Sequence, residues 1–79
     1  MEITPAQARA ARSMLRLSIA EVAKQAAISV RTLRNFESEK IAKPLPVTLA
    51  SLKRALEALG IEFTNSKQPG VRFRETPKK

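Results

Sequence analysis

The sequence predicts a mainly α-helical domain of four helices that ends in a short β-hairpin, and three observations support this fold class. Capping signals and apolar residues spaced three or four apart mark helices at about residues 4–15, 18–26, 29–37 and 46–59. Apolar and polar residues then alternate across a hairpin at about residues 61–74. The length of 79 residues suits one compact domain, which we place at residues 1–75, with 76–79 as a disordered tail.

The first two helices each begin with a capping box. Thr4 is followed three residues later by Gln7, and Ser18 is followed three residues later by Glu21. In this spacing the hydroxyl accepts from a free amide of the first turn, and the longer side chain reaches back to the amide of the capping residue. Both helix starts are therefore predicted from local sequence.

The second and third helices are predicted to meet in a tight corner. Only a few residues separate the inner face of the second helix from Ser29, which caps the third. Ala23 is small enough for a close crossing, and Ile28, Leu33 and Phe36 are apolar at the positions that would anchor the corner. Two short helices joined in this way form a helix-turn-helix, whose second helix enters the major groove of DNA in proteins that use it.

A polar, proline-containing loop at residues 38–46 leads to the fourth helix, and Ile41 or Leu45 is expected to cover the core from this loop. The fourth helix carries a leucine stripe that we assign to core packing, with a dimer seam as the alternative. Gly60 follows as its C-terminal cap. The stripe consists of Leu49, Leu52, Leu56 and Leu59.

The C-terminal hairpin admits two interpretations from the sequence. It covers one flank of the helices, or its free edge pairs with a second chain, because the edge of an isolated hairpin offers unpaired backbone groups. The second interpretation gives a homodimer with a two-fold axis. Such a dimer suits an inverted-repeat site whose halves lie roughly 34 Å apart.

Composition favours a polyanionic partner. Fifteen Lys and Arg residues against seven Asp and Glu residues give a net charge of +8, and the chain contains neither Cys nor His. We therefore expect no cofactor, no metal site and no enzymatic activity. The N-terminus does not resemble a signal peptide and no stretch is apolar enough to span a membrane, so we expect a cytoplasmic, nucleoid-associated protein without membrane contacts.

The stretch LSIAEVAKQAAISVRTLRNFE resembles the helix-turn-helix of lambda-repressor-like (XRE/Cro-type) transcriptional regulators. The whole chain is also similar to a short bacterial subgroup of these proteins. The shared pieces are an ITPAQ start, a fourth helix with a TL…ALE..G pattern, and a GIEF…PGVRFR end. The resemblance implies a compact four-helix DNA-binding domain, and it implies a buried salt bridge between Arg12 and Glu37.

The family pattern and helical geometry together give the candidate DNA contacts. On the outer face of the third helix, the expected base-reading residues are Val30, Arg31, Thr32, Arg34 and Asn35. The expected contacts to the DNA backbone are Ser18, Ser29, Arg16, Lys40 and Lys43. Sequence-specific regulation of transcription, with repression as the simplest mechanism, is the function that these residues predict.

Two departures from the family pattern keep a second function open. Ile19 stands where relatives usually have Gln, which removes a phosphate contact and is expected to expose an apolar side chain. Ala27 stands where relatives usually have Gly at the turn. With Val30, Ile19 would suit a protein partner, so the alternative is a helix-turn-helix that inhibits another transcription factor. RNA binding is less well supported, because few aromatic side chains are present for stacking on bases.

Overall fold

A computed structural model describes residues 2–40, 44–64 and 69–74, and it has the predicted architecture of four helices followed by a two-stranded antiparallel hairpin. The elements are α1 (Pro5–Leu15), α2 (Ile19–Ala26), α3 (Val30–Glu37), α4 (Pro46–Ala58), β1 (Ile61–Thr64) and β2 (Gly70–Phe73). Each helix begins and ends within one residue of its predicted bounds. The predicted tail at 76–79 lies outside the described residues.

The helices begin where their caps place them. Thr4 and Gln7 form a complete capping box, as do Ser18 and Glu21, with the four cap hydrogen bonds between 2.8 and 3.1 Å. The Ser29 hydroxyl accepts from the Thr32 amide at 3.0 Å and so caps α3. In contrast, α4 has no side-chain cap and begins with a proline at its first position, where the missing N–H has no cost.

The first three helices all end in the same hydrogen-bond pattern. In each, two amides beyond the helix bond back to the last turn as in a Schellman motif, for example Ile28 N–H to the Ala23 carbonyl at 3.0 Å. This motif needs one residue in the left-handed region. The residues that occupy it are Arg16, Ala27 and Glu39, with φ between 58° and 61°. None of them is glycine, so each of these helix ends carries a modest backbone strain.

The core lies between the four helices and one face of the hairpin. Small residues on α1 and α2 allow close packing, and Leu33 and Phe36 of α3 and three leucines of α4 fill the space between them. Of the predicted leucine stripe, Leu49, Leu52 and Leu56 are buried and Leu59 is half-buried. The expectation that Leu45 covers the core is wrong, because its side chain is 68% exposed at the start of α4. Ile41 lies outside the described residues.

The side chain of Gln7 connects α1 to the hairpin by hydrogen bonds. Its buried side-chain amide donates to the carbonyls of Thr64 and Gly70, at 3.1 and 2.9 Å, where the two strands come together. Its side-chain oxygen accepts from the Thr4 amide, so every polar atom of this side chain has a partner. Gly70 allows the close approach, since a Cβ there would lie 2.7 Å from the Thr64 hydroxyl.

We expect Ala27→Gly to stabilise the protein by about 1 kcal/mol, because glycine removes the strain of a left-handed backbone. Ala20→Gly is the matched control. Ala20 is an exposed residue within α2, where glycine costs roughly 0.5–1 kcal/mol. Urea denaturation of both variants measures the two effects. If both substitutions stabilised the protein, or both destabilised it, the left-handed conformation assigned to Ala27 would be contradicted.

We expect Gln7→Ala to destabilise the protein by about 1–3 kcal/mol, because a buried side chain is removed and the half-buried carbonyls of Thr64 and Gly70 each lose a hydrogen bond. Amide exchange in β1 and β2 should accelerate more than exchange in α4. Gln25→Ala is the control, since Gln25 is exposed on α2 and should change stability by less than about 0.5 kcal/mol. If amide exchange accelerated equally throughout the molecule, Gln7 would not specifically stabilise the hairpin.

Candidate nucleic-acid interface

The corner between α2 and α3 is built around a close helix crossing. Ala23 is completely buried at the crossing, and the inner face of α3 places Leu33 and Phe36 in the core. Ile28, in the turn, is half-buried and packs against the same core. With one side of α3 fixed in this way, its opposite side must face solvent.

A buried ion pair between Arg12 of α1 and Glu37 of α3 holds the end of α3 in place. The guanidinium donates from Nε and Nη2 to both carboxylate oxygens, with the closest contacts at 2.8 and 2.9 Å. The Glu37 side chain is only 5% exposed and the Arg12 side chain 25%. The pair that the family resemblance implies is therefore present, in bidentate form.

The same arginine also reaches the start of α2. Arg12 Nη1 donates to the Leu17 carbonyl at 3.2 Å, immediately before the residue that caps α2. The hydrogen-bonded Glu37 carboxylate raises the pKa of Arg12 above its ordinary value, although burial acts in the opposite direction. A raised arginine pKa means that this contribution to stability is fully present at neutral pH and is lost only in strongly alkaline solution.

A second arginine contact to α3 was missed from the sequence. Arg9 Nη1 donates to the main-chain carbonyl of Glu37, and it forms an exposed ion pair with Glu39 at 3.3 Å. The carbonyl belongs to the last turn of α3, where a cation is favoured by the helix dipole. The only sequence signal was the spacing of Arg9 and Arg12, three apart on one face of α1.

The outer face of α3 presents Arg31 and Arg34 to solvent. Both side chains are exposed, and neither forms a hydrogen bond or ion pair with any residue that the structure describes. The Asn35 side chain is half-buried and its amide is likewise unbonded within the described ranges. Within the described part of the chain, nothing occupies the hydrogen-bonding groups of these three side chains.

The other two predicted base-reading residues, Thr32 and Val30, are less exposed to solvent than Arg31 and Arg34. Thr32 is half-buried, and its hydroxyl accepts from the Ser29 hydroxyl at 2.8 Å. Val30 is half-buried and packs against the core. Their side chains contribute to the edge of the outer face, while Arg31 and Arg34 form its centre.

The predicted contacts to the DNA backbone fall into two groups. Arg16 and Lys40 are exposed, and their side chains have no partner in residues 2–40, 44–64 and 69–74. Ser18 and Ser29 are exposed but use their hydroxyls for helix capping. The Ser18 amide is also occupied by the Glu21 carboxylate, which makes Ser18 the less favourable phosphate ligand. Lys43 lies outside the described residues.

The expectation that Ile19 is an exposed apolar residue is not met. Ile19 is half-buried and packs against the core, as Val30 does. The large apolar side chains that are exposed in the described part of the chain are Leu45, Val47 and Phe73, all outside α2 and α3.

Surface grooves lie elsewhere on the molecule. Two shallow grooves of about 310 and 270 Å³ are lined mainly by α4, and no residue of α3 contributes to either. The candidate site is thus a projecting helix face, a shape that suits insertion into a groove of the partner.

A comparison with protein-family models finds no match, and a comparison with curated proteins finds none either. The family assignment therefore stays a prediction from the sequence motifs. No helix among the described residues has the length and apolar character needed to cross a membrane.

We expect Arg12→Ala to destabilise the protein by about 3 kcal/mol, because it leaves the Glu37 carboxylate buried without its partner. The loss should be the same at neutral and mildly alkaline pH, since the raised pKa keeps Arg12 charged throughout that range. Lys53→Ala is the control; it breaks a half-exposed pair with Glu57 on α4 and should cost under about 0.5 kcal/mol. Comparable losses for the two variants would show that the buried pair is unimportant.

Proposed function

We propose that the protein binds double-stranded DNA by placing the outer face of α3 in the major groove, and that it regulates transcription in the cytoplasm at the nucleoid. The observation that carries the proposal is the pair of exposed arginines on that face, Arg31 and Arg34, which have no partner among the described residues. Arginine makes the commonest specific contact in the major groove, a bidentate bond to guanine O6 and N7. Asn35, with its free amide, suits adenine N6 and N7 in the same way.

The distribution of charge supports this orientation. On α1, α4 and the hairpin, most of the described cations pair with a carboxylate, including Arg72 with Glu62; the exceptions are Arg54 on α4 and Arg74, which donates to a main-chain carbonyl. On α2, α3 and the turns that flank them, cations without a carboxylate partner in the described ranges are Arg16, Lys24, Arg31, Arg34 and Lys40. Of the seven described cations without a carboxylate partner, five therefore lie on or beside the helix-turn-helix.

The amino end of α3 favours an anion more than that of α2 does. The first turn of α2 contains Glu21, whose carboxylate already compensates the helix dipole. The first turn of α3 contains no acidic residue. A phosphate beside Ser29 would therefore meet free amides and an uncompensated positive dipole end.

Binding to a protein partner, as an inhibitor of another transcription factor, is the second candidate function. The two residues that suggested it, Ile19 and Val30, pack against the core instead of forming an exposed apolar patch. Because both side chains are partly buried, less apolar surface is open to a protein partner at α2 and α3 than the sequence predicts. We therefore favour DNA.

Selection from a pool of random DNA duplexes, followed by binding measurements on the enriched sequences, tests the proposal. With about five phosphates neutralised, log K should fall with log salt concentration at a slope near −4 to −5 per protein chain. Failure to enrich any sequence, together with a flat salt response, would refute DNA binding. Capture of a transcription factor at the α3 face, blocked by the Arg31 substitution, would establish the alternative.

We expect Arg31→Ala to weaken binding to the selected sequence by about 1–3 kcal/mol and to relax the preference at one base pair. Arg54→Ala is the matched control, because Arg54 is an exposed arginine on α4. Repeating the selection with each variant measures affinity and preference together. Unchanged preference in the Arg31 variant would show that another residue reads the sequence.

A further inference from the structure

An ion pair between Arg9 and Glu39 lies at the surface where α3 ends. One nitrogen of the guanidinium, Nη1, donates both to the main-chain carbonyl of Glu37 and to the Glu39 carboxylate, the latter at 3.3 Å. The two side chains are 45% and 62% exposed. An exposed pair of this kind contributes little to stability, so its position beside the candidate interface suggests another role.

The backbone on both sides of Glu39 is held by hydrogen bonds. Glu39 has a φ of 61°, its amide donates to the Phe36 carbonyl at 3.1 Å, and the Lys40 amide donates to the Asn35 carbonyl at 3.0 Å. Consecutive Cα atoms lie about 3.8 Å apart, and both side chains are long and exposed. A Glu39 carboxylate without its arginine would therefore be within reach of the Lys40 ammonium.

Glu39 is the carboxylate of this region whose charge faces solvent. Glu21 accepts from the Ser18 amide, and Glu37 is buried against its own arginine. Lys40, in contrast, is an exposed cation with no partner among the described residues. Beside a DNA phosphate, an unpaired Glu39 carboxylate would repel the phosphate and compete with it for the ammonium.

We propose that Arg9 is a positioning residue of the nucleic-acid interface: it holds the Glu39 carboxylate and thereby keeps the Lys40 ammonium free for a DNA phosphate. Arg9 makes no contact with the DNA in this arrangement. The inference rests on the proposed binding of DNA, whereas DNA binding does not require the inference.

The bond to the Glu37 carbonyl suits Arg9 to this role. The Glu37 side chain is fixed by its buried ion pair, so its carbonyl gives the Arg9 guanidinium a defined position at the end of α3. A guanidinium that is already held loses less side-chain freedom when it binds a carboxylate. The ammonium of Lys40, on a flexible stem with no such contact in the described ranges, is the weaker competitor for Glu39.

DNA binding by four chains tests the proposal: the natural protein, Arg9→Gln, Lys40→Gln and the double variant, each with the same selected duplex. In the natural background, Lys40→Gln should weaken binding roughly fivefold to tenfold at about 0.1 M salt and reduce the salt slope by about one, as for one lost phosphate contact. In the Arg9→Gln background the same substitution should cost less than about twofold, because Glu39 already holds the ammonium. Equal losses in both backgrounds would overturn the proposal.

Glu39→Gln distinguishes this mechanism from a general effect of net charge. If Arg9 acted only through its charge, Glu39→Gln alone would strengthen binding as much as Arg9→Gln weakens it. We expect Glu39→Gln alone to change affinity by less than about twofold, and to restore nearly natural affinity when it is added to Arg9→Gln. Strengthening by the single substitution, or no restoration in the double variant, contradicts the proposed role.

Lys53→Gln is the matched control. It removes the same charge as Arg9→Gln and breaks a pair with Glu57 on α4, at 3.4 Å, so it should change affinity by less than about twofold. Urea denaturation of every variant is the second measurement, and an affinity loss that only follows a loss of folded protein would overturn the positioning role. A protein that binds no duplex would refute the proposed function and this inference with it, whereas specific binding without coupling between Arg9 and Lys40 would refute the inference alone.

Discussion

The buried ion pair between Arg12 and Glu37 is the interaction on which the arrangement of the first three helices depends. These helices have 11, 8 and 8 residues, and helices of this length are marginal in water without tertiary contacts. Through one guanidinium, Arg12 bonds to the end of α3 and to the carbonyl that precedes the α2 cap. A single side chain on α1 thereby links the end of α3 to the start of α2.

This arrangement separates the charges that stabilise the fold from those that remain available to a partner. Arg9 and Arg12, on the inner side of α1, are both engaged with the last turn of α3 or the residues after it. Arg31 and Arg34, one turn apart on the opposite side of α3, are exposed to solvent. Because the Arg12–Glu37 pair holds the buried side of α3, the cations on its outer side are not needed to position the helix.

The parts of the fold that the sequence predicts correctly are those determined by neighbouring residues. The capping boxes at Thr4 and Ser18 and the leucine spacing of α4 act within one or two turns, so they can be read without tertiary information. The contact between Gln7 and the hairpin joins residues 57 and 63 positions apart, and no local pattern encodes it. The exposure of Leu45 and the partial burial of Ile19 differ from the expectations for the same reason, because each depends on how the helices pack.

In the candidate site, too, some features are determined by neighbouring residues and others by tertiary packing. Ser29 and the outward positions of Arg31 and Arg34 follow from helical periodicity, whereas the role of Arg9 requires the position of α1 against the end of α3. At Ala27 the glycine that is usual in relatives is a signal for the left-handed conformation, because glycine adopts it most readily. At Arg16 and Glu39 it has no signal in the residue type, since the hydrogen bonds that enforce it form only once the helix ends are packed.

If two copies are joined through their hairpins, the hydrogen bonds of Gln7 to the hairpin would restrict the spacing of the half-sites in the proposed DNA target. Gln7, Arg9 and Arg12 all belong to α1, so a single helix connects the hairpin to α3 through hydrogen bonds at both ends. In two copies joined at β2, this connection leaves little freedom to change the separation or rotation of the two α3 helices. One inserted base pair moves a half-site by about 3.4 Å and turns it by roughly 35°. A molecule joined in this way would tolerate sequence changes within a half-site better than a change in the number of base pairs between the halves.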